Sequence, residues 1–187
     1  MDKKIFRQRQ LANLKVFATT AQKEHEDEQL LERILGWEEL INAETVGLTW
    51  SLEFEVNTWP LIQQLWLMEK EVYLPTANQD KSMDFKLFSD RSDLGFSRFG
   101  VGEVMSAKTR INNQLDLIIV PGLAYSSKND RLGFGGGFYD RFLARHLGIK
   151  TVTLANSQMF YQNTEWAVER TDIPVQTIIT PEDFYYL

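Results

Sequence analysis

Residues 116–140 read DLIIVPGLAYSSKNDRLGFGGGFYD. The apolar, mostly β-branched run Leu117–Val120 predicts a buried strand, and Pro121 and Gly122 then lead into a polar loop. Four glycines follow at position 133 and at positions 135–137. Beyond them, residues 138–147 place apolar side chains on one arc and arginines on another, which predicts an amphipathic helix. The segment therefore predicts a strand, a glycine loop and a helix N-terminus.

A glycine loop of this kind favours an anion as its ligand. Glycines allow positive φ and close backbone approach, and the free N–H groups at a helix N-terminus attract phosphate. A plain turn is the alternative, because glycine runs also serve that purpose. The sequence GFGGGF (133–138) lacks the Lys-Ser/Thr ending of a Walker loop, and it has Phe138 where the dinucleotide fingerprint has its last glycine, at the sixth position.

A family resemblance accounts for the segment better. Val120–Tyr125 (VPGLAY) and Arg131–Arg141 (RLGFGGGFYDR) resemble the signature of the 5-formyltetrahydrofolate cyclo-ligases, also called methenyltetrahydrofolate synthetases. The resemblance extends from Lys3 to about Thr180. It implies one domain over residues 1–187, with a three-layer α/β sandwich of the sugar-phosphate isomerase and CoA-transferase-like group. Its sheet is expected to be mostly parallel, with the glycine loop at the carboxyl end of the Leu117–Val120 strand.

The composition agrees with one soluble α/β domain. The chain has 187 residues, 43% of them hydrophobic, which suffices for a sizeable core. A net charge of −6 argues against broad nucleic-acid or membrane-surface binding. The absence of cysteine excludes disulfides and thiolate chemistry. The polar N-terminus has no apolar core of a signal peptide, so we expect a cytoplasmic protein. We also expect a monomer.

The remaining elements are predicted from periodicity and from helix start signals. No Gly or Pro occurs before Gly36, which predicts one or two helices at the N-terminus. A helix is expected from Asn57-Thr-Trp-Pro60 to Lys70. Residues 91–104 are expected to form a loop. Further strands are expected at Val46–Trp50, Glu71–Pro75, Met83–Phe88, Thr151–Ala155 and Ile173–Thr180.

The resemblance implies an ATP site with a catalytic core. Lys3 and Arg7 share one helical face and match the family's Lys-x-x-x-Arg pair, whose cations bind phosphates, although from charge alone a solvated basic face is the likelier interpretation. Lys3, Arg131 and Tyr139 are the implied catalytic residues. The full implied ATP set is Lys3, Lys4, Arg7, Arg131, Gly133, Phe134, Gly135, Gly136, Gly137, Phe138 and Tyr139.

The implied folate site centres on Glu55. Glu55-Val-Asn-Thr58 matches the family's Glu-Val-x-Thr motif, whose Glu binds the folate substrate. The resemblance therefore assigns folate binding to Glu55 and not to Glu53, although glutamates in loops are usually just solvated. Trp50, Met83, Phe85 and Tyr139 are expected beside it, with Met83 and Phe85 as wall residues that could equally belong to the core. Asp140 and Asp172 are the implied Mg²⁺ ligands.

Three positions depart from the family pattern. Val104 stands where relatives have Pro after Glu103, Ser126 replaces a common Asp, and Thr171 replaces a His. A carboxylate role at position 126 therefore cannot be transferred, although Asp130 lies close by in sequence.

The implied function is the ATP-dependent cyclisation of 5-formyltetrahydrofolate to 5,10-methenyltetrahydrofolate, with MgATP as the second substrate. The alternative is a nucleotide- or folate-binding protein on the same fold that has lost catalysis. Folate-dependent nucleotide turnover distinguishes the two, because a binding protein would show affinity without ADP release.

Overall fold

The fold is described from a computed structural model that covers residues 1–97 and 100–187. Its α-helices are α1 (Lys3–Phe17), α2 (Ala21–Leu35), α3 (Glu38–Asn42), α4 (Trp59–Leu67) and α5 (Phe138–Arg145), and a 3₁₀ turn spans Arg91–Asp93. Its strands are β1 (Thr45–Gly47), β2 (Glu71–Ala77), β3 (Met83–Leu87), β4 (Leu94–Phe96), β5 (Gly102–Val104), β6 (Leu117–Ile119), β7 (Ala124–Ser126), β8 (Arg131–Leu132), β9 (Lys150–Leu154), β10 (Phe160–Tyr161), β11 (Thr177–Ile179) and β12 (Phe184–Tyr186).

A seven-stranded sheet with flanking helices forms the centre of the fold. Its strand order is β12-β11-β9-β6-β1-β2-β3. The five inner strands run parallel, whereas β12 and β3 pair antiparallel at the two edges. All three residues of β6 are buried, as its apolar run predicts. The prediction of a mixed α/β fold with a mostly parallel sheet is therefore confirmed.

Helix starts follow the local sequence. Asp2 caps α1, because its Oδ1 accepts from the N–H groups of Lys4 (2.8 Å) and Ile5 (3.1 Å). Pro60 lies in the first turn of α4, and Asn57 Oδ1 accepts from the N–H of Trp59 (3.1 Å). The predicted N-terminal helices and the predicted helix after Asn57 are thus confirmed, the latter with an end at Leu67 rather than Lys70.

Short strands were missed where the sequence predicted loops. Residues 91–104 contain the antiparallel pair β4–β5, so the loop prediction was wrong there; residues 98 and 99 of that segment lie outside the described residues. The polar stretch after Gly122 forms the antiparallel pair β7–β8, with β10 alongside β7. The glycine loop therefore follows β8 directly rather than β6. Strands of two or three residues carry too little periodicity to detect.

Within the described ranges, no helix is both long enough and apolar enough to cross a membrane.

Candidate active site

One crevice of about 1290 Å³ gathers segments from the whole chain. Its walls come from the start of α1, the loop after β1, the glycine loop with the start of α5, and residues 169–173. Every site residue implied by the sequence lies on this wall except Phe85: Lys3, Lys4, Arg7, Trp50, Glu55, Met83, Arg131, Gly133, Phe134, Gly135, Gly136, Gly137, Phe138, Tyr139, Asp140 and Asp172.

The glycine loop requires glycine for two different reasons. Gly135 and Gly137 have φ values of 99° and 64°, a region that residues with a side chain rarely adopt. At Gly136, a Cβ atom would lie 2.9 Å from the Phe138 ring. Gly137 precedes α5 without any side-chain cap, which leaves the first N–H groups of the helix available to a ligand.

Arg131 is held rigidly at the base of the loop. Its guanidinium donates to Asp140 Oδ1 over 2.8 Å and to the Pro121 carbonyl over 3.2 Å, and its side chain is only 4% exposed. The Nε atom of Arg131 is buried without a partner. A buried guanidinium with a free donor is suited to a charged oxygen of a ligand.

Lys3 and Arg7, at the start of α1, are already engaged in contacts. Lys3 Nζ lies 2.6 Å and 2.8 Å from the two carboxylate oxygens of Asp172, and 3.4 Å from Glu169 Oε1. Arg7 Nε donates to the Gly133 carbonyl over 2.8 Å. These contacts fasten α1 to both the glycine loop and the 169–173 segment, and they keep two positive charges at the crevice.

Glu55 is a buried carboxyl on the wall of the same crevice. It is 8% exposed, and its Oε2 accepts from the Leu52 N–H over 2.7 Å. Burial raises its pKa to about 7, while that hydrogen bond and the charge of Lys23 oppose the rise. Glu53 is exposed and does not line the crevice. The crevice is therefore lined by Glu55 and not by Glu53.

Aromatic side chains also line the same crevice. Trp50 lies there and packs against Trp59 at a ring distance of 5.1 Å. The Tyr139 hydroxyl is buried without a hydrogen-bond partner, and burial raises the pKa of Tyr139. The placement of Phe85 in the pocket wall was wrong: its side chain is fully buried in the core and packs against Phe142, so it supports the wall from behind.

Asp140 and Asp172, the carboxylates implied as metal ligands, differ in how many of their oxygens are free to bind a cation. Both oxygens of Asp172 accept from Lys3, whereas the described bonds of Asp140 use Oδ1 alone, from Arg131 and from the Ile173 N–H (3.1 Å). No cluster of three or more metal-ligating side chains occurs in the part of the chain that the structure describes. Asp140 thus fits a Mg²⁺ ion that takes its other ligands from phosphates and water, and Asp172 fits only after Lys3 releases it.

The three departures from the family pattern lie in different settings. Thr171 lines the crevice, whereas Val104 is buried beside Glu103, which does line it. Ser126 is fully buried, and its hydroxyl donates to Asp130 Oδ2 over 3.2 Å. Because neither Ser126 nor Asp130 lines the crevice, the substitution at position 126 leaves the wall intact.

Arg141 is a wall residue to which the sequence assigned no role. Its guanidinium donates to the carbonyls of Gly136 (2.9 Å) and Lys81 (3.0 Å) and lies 5.2 Å from the centre of the Phe138 ring. It therefore braces the glycine loop from outside. Its place in the RLGFGGGFYDR motif was the available signal.

A comparison with protein families matches residues 1–181 to the 5-formyltetrahydrofolate cyclo-ligase family. The chain belongs to this family. A 5-formyltetrahydrofolate cyclo-ligase of Escherichia coli K12 is 30% identical over 167 residues, 87% of this chain and 92% of the relative. One from Haemophilus influenzae is 29% identical over 165 residues, 86% and 88% of the two chains. Membership in a cyclo-ligase family makes the chain an enzyme of the ligase class.

Solved structures show the same fold. The NMR structure of Aquifex aeolicus 5,10-methenyltetrahydrofolate synthetase has a TM-score of 0.82 at 26% identity. The match covers 100% of this chain and 93% of the Aquifex chain. The synthetase from Mycoplasma pneumoniae has a TM-score of 0.75 at 20% identity, with 97% and 100% covered. The resemblance inferred from the glycine motif is confirmed.

Proposed function

We propose that the chain converts 5-formyltetrahydrofolate to 5,10-methenyltetrahydrofolate with consumption of ATP and release of ADP and phosphate. Family membership and the names of its relatives indicate the product. The observation that carries the ATP requirement is the gathering of Lys3, Arg7, Arg131 and the glycine loop in the same crevice as Glu55. We call the part lined by Lys3, Arg7, Arg131 and the glycine loop the cationic end, and the part lined by Glu55 the carboxyl end. Their opposite charges suit two different substrates.

The triphosphate is assigned to the cationic end. The N–H groups at the start of α5 and the positive-φ glycines offer a close-fitting cradle. Lys3 and Arg7 supply charge from α1, and Arg131 Nε supplies a buried donor. Lys4, Phe134 and Phe138 line the same part of the crevice and complete the nucleotide site.

The folate is assigned to the other end. Glu55 supplies carboxyl oxygens for folate N–H groups, and Trp50 and Met83 offer apolar surface for a flat pterin. We assign Tyr139 to the junction of the two substrates, because its ring is 5.8 Å from the Arg131 guanidinium and its pKa responds to the charges of both Arg131 and Glu55. Its unpartnered hydroxyl would then meet the formyl group or the transferred phosphate.

The chemistry explains why ATP is needed. The formamide oxygen is a poor leaving group, so it first attacks the γ-phosphorus and ADP departs. The N10 amine then attacks the activated formyl carbon, the C–O bond breaks, and phosphate leaves as the N10 proton is lost. The protein mainly orients the two substrates and neutralises phosphate charge. Lys3, Arg131 and Tyr139 are the residues that would contact the reacting groups.

Mg²⁺ accompanies ATP in this proposal and shields the charge between its phosphate oxygens. Asp140 would hold it directly or through water, and Asp172 would join after exchanging Lys3 for the cation. We further propose that the chain acts as a cytoplasmic monomer and binds neither nucleic acid nor membrane, in keeping with its net charge of −6.

The proposal is tested by the division of substrate affinities between the two ends. Lys3→Ala should raise the KM for ATP more than that for folate, and Glu55→Ala should do the reverse. The matched controls are Lys15→Ala and Glu53→Ala, both at exposed positions away from the crevice. If either variant changed the KM for ATP and the KM for folate equally, the division of the crevice into two substrate sites would be refuted. Affinity for both substrates without turnover would indicate the non-catalytic alternative instead.

A further inference from the structure

Buried charge is concentrated on α2, outside the crevice. Lys23 is 7% exposed and Glu26 5%, and the Asp27 side chain is 13% exposed. Neither Lys23, Glu26 nor Asp27 lines the crevice. Burying charged groups is costly unless they are paired, so a cluster of three charges in one and a half turns requires an explanation beyond packing.

Two of these side chains bind the backbone of loops that follow parallel strands. Lys23 Nζ forms an ion pair with Asp27 Oδ2, and the same oxygen accepts from the Asn57 N–H over 3.2 Å. Glu26 Oε2 accepts from the Ser157 N–H over 2.7 Å. The first of these loops, which follows β1, carries Glu55 two residues before Asn57.

The loop around Glu55 is also held by hydrogen bonds within it. The Ser51 N–H donates to Thr58 Oγ1 (3.0 Å), the Thr58 N–H donates to Ser51 Oγ (3.1 Å), and Thr58 Oγ1 donates to the Thr49 carbonyl (2.7 Å). The Asp27–Asn57 bond is a side-chain contact that ties this loop to α2.

The charge of Lys23 also reaches Glu55. It lowers the Glu55 pKa, which burial raises to about 7, and thereby favours the ionised carboxyl. Within the described residues, the charge of Glu55 also acts on Tyr125 of β7 and Tyr139 of α5; burial raises the pKa of both, so both are neutral at physiological pH. Arg131 of β8 acts on those two tyrosines. Lys23 is therefore the cation that acts on Glu55 from α2.

We propose that Lys23 and Asp27 form a positioning pair for Glu55: Asp27 holds the Glu55 loop at Asn57, and Lys23, paired with Asp27, places a positive charge behind that loop. The pair touches no substrate and acts through Glu55 alone. This inference rests on the proposed function, because ionised Glu55 is there the folate acceptor.

The first test does not depend on activity. The Glu55 side-chain carboxyl is labelled with ¹³C, assigned by its loss in Glu55→Gln, and titrated by NMR. We expect a higher midpoint in Lys23→Met, which removes the cation, and a lower midpoint in Asp27→Asn, which leaves the cation without its anion. Lys23→Arg keeps the charge and should stay near wild type. An unchanged midpoint in folded Lys23→Met and Asp27→Asn, or a shift of both in the same direction, would overturn the proposal.

The second test uses the folate reaction. In Lys23→Met, kcat/KM for folate should fall roughly three- to tenfold at pH 7 and recover to within about twofold at pH 9, where Glu55 ionises anyway. Lys15→Met, on the exposed face of α1, serves as the control. A loss that is equal at both pH values would mean a structural role only and would overturn the charge argument. Shifted NMR midpoints without any folate turnover would instead count against the proposed function.

Discussion

Lys3 Nζ lies 2.6 Å and 2.8 Å from the two carboxylate oxygens of Asp172, 169 positions later in the chain. Both residues line the crevice, with the Lys3 side chain 12% and the Asp172 side chain 18% exposed. A phosphate group that enters this end of the crevice competes with Asp172 for Lys3. A cation that arrives with the phosphate would take over Asp172, so the two exchanges would support one another.

Lys3→Ala should therefore weaken ATP binding. Loss of one charged hydrogen-bonding partner costs about 1.5–3 kcal/mol, roughly ten- to a hundredfold in affinity. Asp172→Asn releases Lys3, so without Mg²⁺ it should bind ATP at least as tightly as wild type. Calorimetric titration with ATP, with and without Mg²⁺, measures both. Unchanged ATP affinity in Lys3→Ala would separate Lys3 from the nucleotide.

Arg131 should not tolerate replacement by lysine. Its fork makes two bonds at once, to Asp140 and to the Pro121 carbonyl, at a side chain that is 4% exposed. We expect Arg131→Lys to lower the free energy of unfolding by about 1–3 kcal/mol and to weaken ATP binding as well. Denaturant unfolding and ATP titration are the measurements. Arg145→Lys, on the last turn of α5 and outside the crevice, is the control.

Gly136→Val should disrupt the loop through Phe138. A Cβ atom at Gly136 would lie 2.9 Å and 3.0 Å from two ring carbons of Phe138, so the ring must leave its place in the crevice wall. We expect an ATP affinity at least about tenfold weaker, with the fold retained. The matched control is Gly148→Val, because a Cβ atom there meets nothing within 4 Å. Wild-type MgATP binding by Gly136→Val would show that this loop does not contact the nucleotide.

Because of Glu55, the free energy of unfolding should fall as the pH rises. Its pKa rises from 4.5 to about 7 on folding, so the folded state binds the proton more tightly. The folded state consequently loses stability as the pH rises from about 4.5 to 7, and the loss remains in full above 7. An isolated shift of this size corresponds to about 3 kcal/mol.

Glu55→Gln removes the titrating carboxyl and with it the loss of stability at high pH. The variant should be stabilised relative to wild type at pH 8 and should gain little or nothing at pH 4, as measured by thermal unfolding at the two pH values. Glu53→Gln is the control, because Glu53 is exposed in the same loop. A gain for Glu55→Gln that is the same at both pH values would mean that Glu55 does not titrate as a buried carboxyl.

Most of the crevice wall could be predicted from sequence because its residues belong to contiguous motifs. The glycine loop, the Lys3–Arg7 spacing and the Glu55-Val-Asn-Thr58 run each place their residues locally. Phe85 was misplaced because strand alternation does not say how deep each residue on one face lies: Met83 reaches the crevice and Phe85 the core. The Lys3–Asp172 contact and the role of α2 depend on long-range packing, which no local pattern encodes.

The most direct measurement of the central claim is the ratio of ADP to methenyl product in one sample. Purified protein is mixed with MgATP and 5-formyltetrahydrofolate, product is followed by its near-ultraviolet absorbance, and ADP is quantified at the same time points. Each cyclisation should expel one phosphate, so we predict one ADP per product and no product when ATP is omitted. Product formed without ATP, or ADP released without product, would contradict the account.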